Sequence, residues 1–428
     1  MAEKTKPFIR QKEYKKRRKE FAKKLDENSL VILCANSLQR RSNDTEYPYR
    51  QNSNFYYLTG HKEDKSYCVI KKAKKSVACY LFVYKKDPVE ELWNGKRLGQ
   101  EGAQKAYMFD DIFLYDEFET KIQELQKGST TLYYDFGHKP QEVVQKVGFQ
   151  NFLVHKDASA IIQKMRLYKS DAEIAMIQHA IDITKKGYDA VIHNITAFTY
   201  EYQIQAQLEY SFRFHGAYSD AYTSIVASGN NANTLHYIKN DASLCADDMV
   251  LIDAGCEYEY YASDITRTLP LSGRFSKEQK ELYSIVLQIQ KEVIAQIAPG
   301  VKRSQLQKYV LKRLTYALVE LGILRGDVKK LLKKEAVKKY YPHGIGHWMG
   351  LDVHDMAPYT TSKGKEILLD EGMVLTIEPG LYIDKDDTTV PKRYRGIAIR
   401  IEDDIVVTRN GAKVLSANIP KEISDLER

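Results

Sequence analysis

The sequence lacks the paired cysteines and the long apolar runs that several classes of protein require. It has five cysteines, an odd number, and none forms a Cys-x-x-Cys motif. We therefore expect reduced thiols in a cytoplasmic protein, without a disulfide framework. No apolar run approaches the ~20 residues of a membrane span. The first residues have no apolar stretch typical of a secretion signal.

A concentrated excess of positive charge is also missing. The net charge is +8 for 428 residues, of which 29% are charged. The basic runs Lys15–Lys19 and Lys329–Lys339 indicate solvated helix faces. A surface that binds nucleic acid would concentrate its positive charge further. We therefore expect neither nucleic acid nor a membrane as a partner.

The length favours two domains, because 428 residues exceed what one hydrophobic core usually serves. In residues 1–157, predicted strands alternate with helices, which indicates an α/β domain with a largely covered sheet. Residues 158–169 contain a short connecting helix in this interpretation. A second domain then fills residues 170–428.

The second domain repeats one order of elements, two helices followed by antiparallel strands. The helices are predicted at 170–192, 200–212, 277–297 and 304–321, and the strands that close the second half near 373–378 and 397–407. Capping boxes are predicted at Ser170/Glu173, Ser276/Gln279 and Ser304/Gln307. The pattern favours an α+β domain with a pseudo-twofold helix-helix-strand repeat, although the residues of the two halves match too weakly to prove duplication. Glu201 is expected on an exposed helix surface.

Leu251–Thr268, with the sequence LIDAGCEYEYYASDITRT, is predicted to form a β-hairpin that carries two carboxylates. Asp253 ends the first strand and Asp264 begins the return strand. Two carboxylates on facing strands repel each other and are costly to bury unless a cation lies between them. The alternative is that both residues only mark strand ends and turns, where Asp is frequent.

Three later segments supply further acidic side chains and imidazoles. They are PHGIGHWMGLDVHD at 342–355, MVLTIEPGLYI at 373–383 and IAIRIEDDIVV at 397–407. The glycines of the first segment weaken a helix, so its histidines are expected in a loop or at a strand end. Alternation places Thr376 and Glu378 on one face, and Arg400 and Glu402 on another. Each segment alone fits a core histidine, a strand-end Glu or a surface Arg–Glu pair.

Taken together, the segments predict a metal site rich in oxygen ligands. Two Asp, two Glu and one or more His suit Mn²⁺, Co²⁺ or Fe²⁺ better than a structural zinc site, which prefers thiolates. Four carboxylates carry more negative charge than one divalent ion neutralises. Two ions bridged by a carboxylate would fit this set.

These segments resemble the motif series of the pita-bread metallopeptidases, and within them the Xaa-Pro aminopeptidases (aminopeptidase P). The match is dense over residues 235–408. DTEYPYRQNSNFYYLTG and LWNGKRLG resemble a creatinase/prolidase-type N-terminal domain. The resemblance implies an α+β chain in which an α/β N-terminal domain precedes a C-terminal pita-bread catalytic domain. One departure is Gly346, where Ser is common in the bacterial subgroup.

The resemblance also implies two divalent ions, with Mn²⁺ expected first and Co²⁺ or Zn²⁺ as alternatives. The implied metal ligands are Asp253, Asp264, His347, Glu378 and Glu402. Glu378 would also transfer a proton, and His236 and His354 would support the tetrahedral intermediate. His343 would line the proline pocket.

The same resemblance implies that Arg400 and Tyr382 orient the metal ligand Asp253. The implied substrate is a peptide with proline at its second position, cleaved before that proline. Prolidase, a dipeptidase with the same ligands, is the alternative. Metal-free binding proteins and creatinase of the same fold lack this ligand set, and methionine aminopeptidases usually lack the N-terminal domain.

Two residues of the N-terminal domain complete the implied site. The resemblance places Trp93 at the active-site mouth of a neighbouring subunit in a homodimer or homotetramer. Asp44 would lie near the N-terminal side of the peptide. The ordinary alternative for Trp93 is an indole half-buried in its own domain.

Overall fold

The computed structural model describes residues 6–138 and 147–427, which form two compact units. One unit spans Ile9–Arg166, and the other contains residues 6–8 and 167–427. The division falls within the segment 158–169. The helix Ser159–Arg166 in that segment belongs to the first unit.

The first unit is built on a six-stranded mixed sheet. In spatial order its strands are Asp111–Leu114, Val77–Val83, Tyr67–Lys72, Ser29–Cys34, Thr131–Tyr134 and Val154–Asp157. Every residue of the central strand Ser29–Cys34 is buried, as expected for a sheet covered on both faces. A short hairpin of Arg40–Ser42 and Thr45–Glu46 projects from the segment that follows it.

Six α-helices accompany this sheet in the part of the unit that the structure describes. They are Gln11–Lys23, Ser53–Thr59, Pro88–Asn94, Gly99–Ala106, Phe118–Leu125 and Ser159–Arg166. A core of aliphatic and aromatic side chains, including Ile32, Val69 and Phe118, fills the space between sheet and helices. The polar segment around Trp93 forms its own helix, because Asp87 caps Pro88–Asn94 through the N–H groups of Val89 and Glu90.

The interpretation of Lys15–Lys19 as a solvated face is wrong at its centre. Arg17 is 5% exposed and Arg18 is 1% exposed. Arg18 donates to the carbonyl oxygens of Leu58 at 2.7 Å and Met108 at 2.5 Å. The carbonyl oxygens left free at the ends of other elements attract these guanidinium groups. A count of charged residues along one helix does not reveal such partners.

The second unit contains two pairs of long helices. The α-helices of this unit are Asp171–Asn194, Glu201–Phe214, Lys277–Ile294, Arg303–Glu320, Val328–Lys333 and Ile423–Leu426. The capping boxes at Ser170/Glu173 and Ser276/Gln279 are present. The one predicted at Ser304/Gln307 is wrong. The Gln305 side chain instead accepts from Lys302 N–H, and the Ser304 hydroxyl donates to Glu366.

The strands of the second unit divide among several short sheets. They are Ser219–Asp220, Ile225–Ser228, Met249–Ala254, Cys256–Tyr258, Tyr261–Ala262, Ile265–Pro270, Val374–Ile377, Gly380–Tyr382, Ala398–Arg400, Asp403–Thr408 and Gly411–Val414. Ile225–Ser228, Met249–Ala254 and Ile265–Pro270 form one three-stranded sheet. Val374–Ile377, Asp403–Thr408 and Gly411–Val414 form another. Each sheet follows one helix pair in the chain, which is the expected repeat.

The expectation for Glu201 is wrong, because this residue is 0% exposed. The cysteines are all unpaired, and four of them are buried while Cys245 is exposed. The cytoplasmic location stays a prediction. Among the described residues, no helix has both the length and the apolar character to cross a membrane.

Candidate active site

The hairpin that contains Asp253 and Asp264 forms as predicted and brings the two carboxylates together. Met249–Ala254 pairs with Ile265–Pro270, and Asp253 lies opposite Thr266. The Tyr222 hydroxyl contacts Asp253 Oδ1 at 2.6 Å and Asp264 Oδ1 at 2.5 Å. A hydroxyl has one proton to donate, so it cannot satisfy two ionised carboxylates at once. The site therefore concentrates negative charge.

Arg400 and Glu402 both face this pair of carboxylates. The Arg400 guanidinium donates to Asp253 Oδ2 at 2.6 Å. Glu402 accepts from the Thr266 hydroxyl at 2.6 Å, and its backbone N–H donates to the Thr266 carbonyl. The single strand predicted over 397–407 is wrong, because it is divided between Ala398–Arg400 and Asp403–Thr408. Glu402 lies at this break, where its side chain reaches the hairpin.

The histidine segment is a loop, as its glycines predicted. His347 Nε2 lies 3.2 Å from Asp264 Oδ2. The loop runs beside the strand Val374–Ile377, and the hydroxyl of Thr376 accepts from His347 N–H at 3.0 Å. A Cβ on Gly346 would lie 1.9 Å from the Thr376 carbonyl oxygen. Glycine at this position lets the loop approach the strand closely enough to present His347.

Glu378 follows the same strand and faces the histidine loop. Its Oε1 accepts from the Thr376 hydroxyl at 3.3 Å and lies 3.8 Å from His347 Nε2. His343 Nδ1 is 3.7 Å from Glu378 Oε2. On its other side, His343 Nε2 is 2.8 Å from the Tyr382 hydroxyl. Arg400 donates to that hydroxyl at 2.9 Å.

These side chains line one cavity of about 540 Å³ in the second unit. Its lining includes Asp253, Asp264, His347, Glu378, Glu402, Arg400, His236, His343 and His354. The ring of His354 lies 4.3 Å from that of His347, measured between centroids. Leu235, Ile238 and Val353 add apolar walls. A cavity with apolar walls and convergent polar groups is the usual form of a small-molecule site.

Three of these carboxyl groups have raised pKa values. Burial raises the pKa of Glu378 to about 7, although His347 and Arg400 oppose the shift. Burial, followed by the charges of Asp264 and Glu378, raises the pKa of Glu402 well above its usual value. Burial also raises the pKa of Asp253, against the opposing effect of Arg400. Ionising all of them together without a cation is costly.

The histidines differ in the direction of their shifts. Burial lowers the pKa of His347, but the hydrogen bond and charge of Asp264 outweigh it and give a value of about 9. Burial lowers the pKa of His343 to about 4. Burial and the nearby His347 lower the pKa of His354. His347 is therefore the histidine that holds a proton most readily, because the neighbouring Asp264 carboxylate stabilises its positive charge.

The donor set fits divalent metal ions. Asp264, His347 and Glu402 each offer one ligand atom, and these atoms lie within 4.8 Å of one another. Asp253 and Glu378 line the same cavity. A cation among them would displace the proton of the imidazolium and offset the burial and the repulsion that raise the carboxyl pKa values. The set is rich in oxygen and holds one imidazole, which matches hard divalent ions.

The two candidates from the N-terminal domain lie in the first unit. Asp44 is exposed in the hairpin turn between Ser42 and Thr45. Trp93 is 82% exposed, so the alternative of an indole half-buried in its own domain is wrong. Leu92 beside it is 80% exposed.

Sequence reasoning missed three residues that surround the carboxylates. They are Tyr222, which bonds both aspartates, Thr266, which bonds Glu402, and Asp404, which accepts from Asp264 N–H at 3.0 Å. Burial and the charge of Asp264 raise the pKa of Asp404 well above its usual value. The neighbouring Asp403 instead pairs with Arg267 at 2.9 Å and with Lys421. The repeated Asp in IEDDIVV was the available signal.

Comparison with known families matches both parts of the chain. Residues 175–409 match metallopeptidase family M24, and residues 14–133 match the aminopeptidase P N-terminal domain. The Xaa-Pro aminopeptidase of Haemophilus influenzae is 40% identical over 97% of this chain and 96% of its own. That of Escherichia coli is 36% identical over 98% and 97%. Human Xaa-Pro aminopeptidase 3 is 36% identical over 93% and 80%.

Solved structures agree with the sequence relatives. Zinc-substituted Escherichia coli aminopeptidase P in complex with product has a TM-score of 0.92 at 36% identity, covering 98% of this chain and 97% of its own. Pseudomonas aeruginosa aminopeptidase PepP has a TM-score of 0.92 at 39% identity, with the same coverage. The expected fold class, a pita-bread domain after an α/β domain, is confirmed. The chain belongs to the Xaa-Pro aminopeptidases of metallopeptidase family M24 and is a hydrolase that binds divalent metal.

Proposed function

We propose that this chain hydrolyses the bond between an N-terminal residue and a following proline, in peptides longer than two residues. The observation that carries the proposal is the single cavity that combines five candidate metal ligands with three histidines. Relatives of nearly full length are Xaa-Pro aminopeptidases, which favours this substrate over the dipeptides of prolidase.

Two divalent ions, Mn²⁺ in the first place, would be held by the acidic residues and one imidazole. The proposed ligands are Asp253, Asp264, His347, Glu378 and Glu402. Bound there, such ions lower the pKa of water toward ~7 and polarise a carbonyl. Oxygen-rich ligation supports Mn²⁺ or Co²⁺, and the zinc-substituted relative keeps Zn²⁺ as an alternative.

The remaining side chains have separate tasks in this proposal. Glu378 takes the proton from the attacking water and passes it to the proline nitrogen as the C–N bond breaks. Its Oε1 lies 3.8 Å from His347 Nε2, which places this carboxyl beside the proposed metal ligands and the water they would hold. His236 and His354 donate to the carbonyl oxygen as it gains charge. His343, fixed by Tyr382, lines the pocket for the proline ring.

Peptide length separates this activity from that of prolidase. With Mn²⁺ present, we expect release of arginine from Arg-Pro-Pro, because relatives of nearly full length are Xaa-Pro aminopeptidases. Ala-Pro should be the poorer substrate. The measurement is chromatography of the products over time. Arg-Ala-Pro serves as the control, since its second residue is not proline.

Two outcomes would contradict the proposal. Cleavage of Ala-Pro with Arg-Pro-Pro left intact would identify a prolidase. Equal cleavage of Arg-Pro-Pro and Arg-Ala-Pro would identify an aminopeptidase without selectivity for proline. Either result would contradict the substrate assignment and leave the assignment of the metal ligands unaffected.

We also propose that the chain forms a homodimer or homotetramer in which Trp93 narrows the cavity entrance of a neighbouring subunit. The exposure of the adjacent Trp93 and Leu92 side chains supports this, because contiguous exposed apolar groups often mark a contact with another chain. Asp44 would then lie near the N-terminal side of the peptide, where a carboxylate attracts the free amine.

Trp93→Ala should change KM or the preference for peptide length, because it removes a wall of the entrance in the assembly. Metal content and the thermal midpoint should stay at the wild-type values, since the indole is exposed in its own unit. Steady-state kinetics on a series of peptides of three to about ten residues would measure the change, because the longer ones extend beyond a pocket of this class. A fully active monomer by light scattering would contradict the assignment, as would unaltered kinetics at every length.

A further inference from the structure

Glu201 is a buried carboxylate with an unusual number of donors around it. It is the first residue of the helix Glu201–Phe214 and is 0% exposed. Its Oε1 accepts from the N–H and the hydroxyl of Ser228, both at 2.8 Å, and from the Asn231 amide at 3.0 Å. Its Oε2 accepts from the Tyr237 hydroxyl at 2.8 Å and from Ala242 N–H at 3.0 Å.

These donors come from two parts of the chain. Ser228 ends the strand Ile225–Ser228, which pairs with the strand that carries Asp253. Tyr237 and Ala242 belong to the segment 234–242, where the described chain has no helix or strand. Glu201 N–H also donates to the Ala242 carbonyl at 3.0 Å. The Glu201 carboxylate therefore connects this irregular segment to the edge strand that pairs with the strand carrying Asp253.

The segment 234–242 carries His236, whose side chain lines the cavity. Few backbone hydrogen bonds hold this segment, so its side-chain contacts help to fix its conformation. Besides Glu201, one such contact comes from Asn240, which accepts from Val226 N–H at 2.9 Å and donates to the Ser224 carbonyl at 2.7 Å. Asn240 and Glu201 hold the segment on both sides of Ile238, and Glu201 is the contact beside His236.

We infer that Glu201 is a positioning residue that sets the location of His236 over the cavity. It touches neither substrate nor metal in this arrangement and acts through Tyr237 and Ala242. The inference rests on the proposed function for its catalytic consequence, because the consequence is the placement of a donor on the carbonyl oxygen. Its structural part, the location of the His236 ring, does not depend on that function.

Glu201→Gln isolates the contact, since the side chain keeps its shape. An amide has one acceptor oxygen and one NH₂ group. With the NH₂ in the place of Oε2, it faces Ala242 N–H, and two donors repel. With the NH₂ in the place of Oε1, it faces Ser228 N–H instead. Either orientation breaks one side of the connection between the sheet edge and the segment that carries His236.

We expect Glu201→Gln to lower kcat on Arg-Pro-Pro by between about 10- and 100-fold, the effect of a misplacement near 1 Å. Metal content should not change. In the His236→Ala background the same substitution should cost less than about twofold, because coupled residues are not additive. A crystal structure of Glu201→Gln should show the His236 ring displaced. Tyr237→Phe removes one donor to Glu201 and one acceptor of the Asn231 amide. It should change kcat in the same direction by less.

Glu173→Gln is the matched control. Glu173 is also buried in the first turn of a helix, and it accepts from the Tyr261 hydroxyl at 3.0 Å. It should lower the thermal midpoint while kcat stays within about twofold, as expected for a change distant from the reacting groups.

Three results would overturn the inference. One is an equal loss from Glu201→Gln with and without His236. Another is an unmoved His236 ring in the crystal structure of the variant. The third is a wild-type kcat in Tyr237→Phe if Glu201→Gln does not fold. A wild-type chain that leaves Arg-Pro-Pro intact contradicts the proposed function instead, and the crystal structure still decides the position of His236.

Discussion

Glu402→Gln should abolish hydrolysis of Arg-Pro-Pro while the metal-free fold gains stability at alkaline pH. The loss should exceed about 100-fold, because groups one shell beyond a metal already change activity by about 10–100-fold. Gln can still accept from the Thr266 hydroxyl, so the local hydrogen bond survives. What disappears is the negative charge that two cations require. Initial rates and elemental analysis of the loaded protein measure this result.

The stability part follows from the raised pKa of Glu402. In the folded metal-free chain, burial and the charges of Asp264 and Glu378 hold that pKa well above its unfolded value. Ionising the group therefore costs folding free energy as pH rises above the unfolded pKa, and the cost grows until the folded pKa is reached. A neutral Gln escapes that cost. Thermal midpoints of wild type and variant with chelator, compared at about pH 5 and about pH 8, measure that cost.

Glu320→Gln is the control, since Glu320 is exposed at the end of the helix Arg303–Glu320. It should change neither the rate nor the pH dependence of the thermal midpoint. Hydrolysis by Glu402→Gln at the wild-type rate would remove Glu402 from the site. Full activity of wild-type protein after dialysis against chelator would contradict the metal assignment as a whole.

A site residue could be predicted from the sequence where burying its charge within its own segment would cost free energy. Glu402 stands in a run of β-branched apolar residues, and Asp253 follows a buried strand, so each needed a partner that the segment did not offer. The loop around His347 was predictable from its glycines. Such signals are local, because burial of charge is costly whatever lies nearby.

Residues whose role depends on distant partners were not predictable. Tyr222 is one of 31 tyrosines, and nothing in its neighbours marks it as the hydroxyl between two aspartates. Arg18 and Glu201 read as surface charges because acidic and basic residues in a first turn or on a polar face usually contact water. Their partners lie 27 to 90 positions away in the chain. Only the folded chain reveals them.

The limits of element prediction have the same origin. Residues 397–407 alternate in polarity as one strand does, but the chain leaves the ladder at Ile401 and Glu402. Glu402 N–H bonds to Thr266 of the first half instead. The break joins the two halves of the repeat at the carboxylates. Alternating polarity along a segment does not show where its backbone stops pairing with one strand and bonds to another.

His347→Ala and His354→Ala should separate metal binding from catalysis. His347 Nε2 is 3.2 Å from Asp264 Oδ2 and belongs to the group of atoms that can share one ion. Its loss should lower the metal content and the rate together. His354 is exposed to the cavity, with its ring 4.3 Å from His347. Its loss should lower kcat by about 10²–10³-fold, the cost of one donor to a developing oxyanion, with metal content unchanged.

Elemental analysis beside steady-state kinetics decides between these roles. His354→Gln keeps a donor on a shorter side chain, so it should recover part of the kcat that His354→Ala loses, and no metal difference should accompany the recovery. An equal fall in metal content in His347→Ala and His354→Ala would assign both histidines to the ions. An unchanged kcat in His354→Ala would leave the carbonyl oxygen to His236 and the ions. That result would also raise the expected cost of moving His236 through Glu201, because His236 would then be the only imidazole donor proposed at that oxygen.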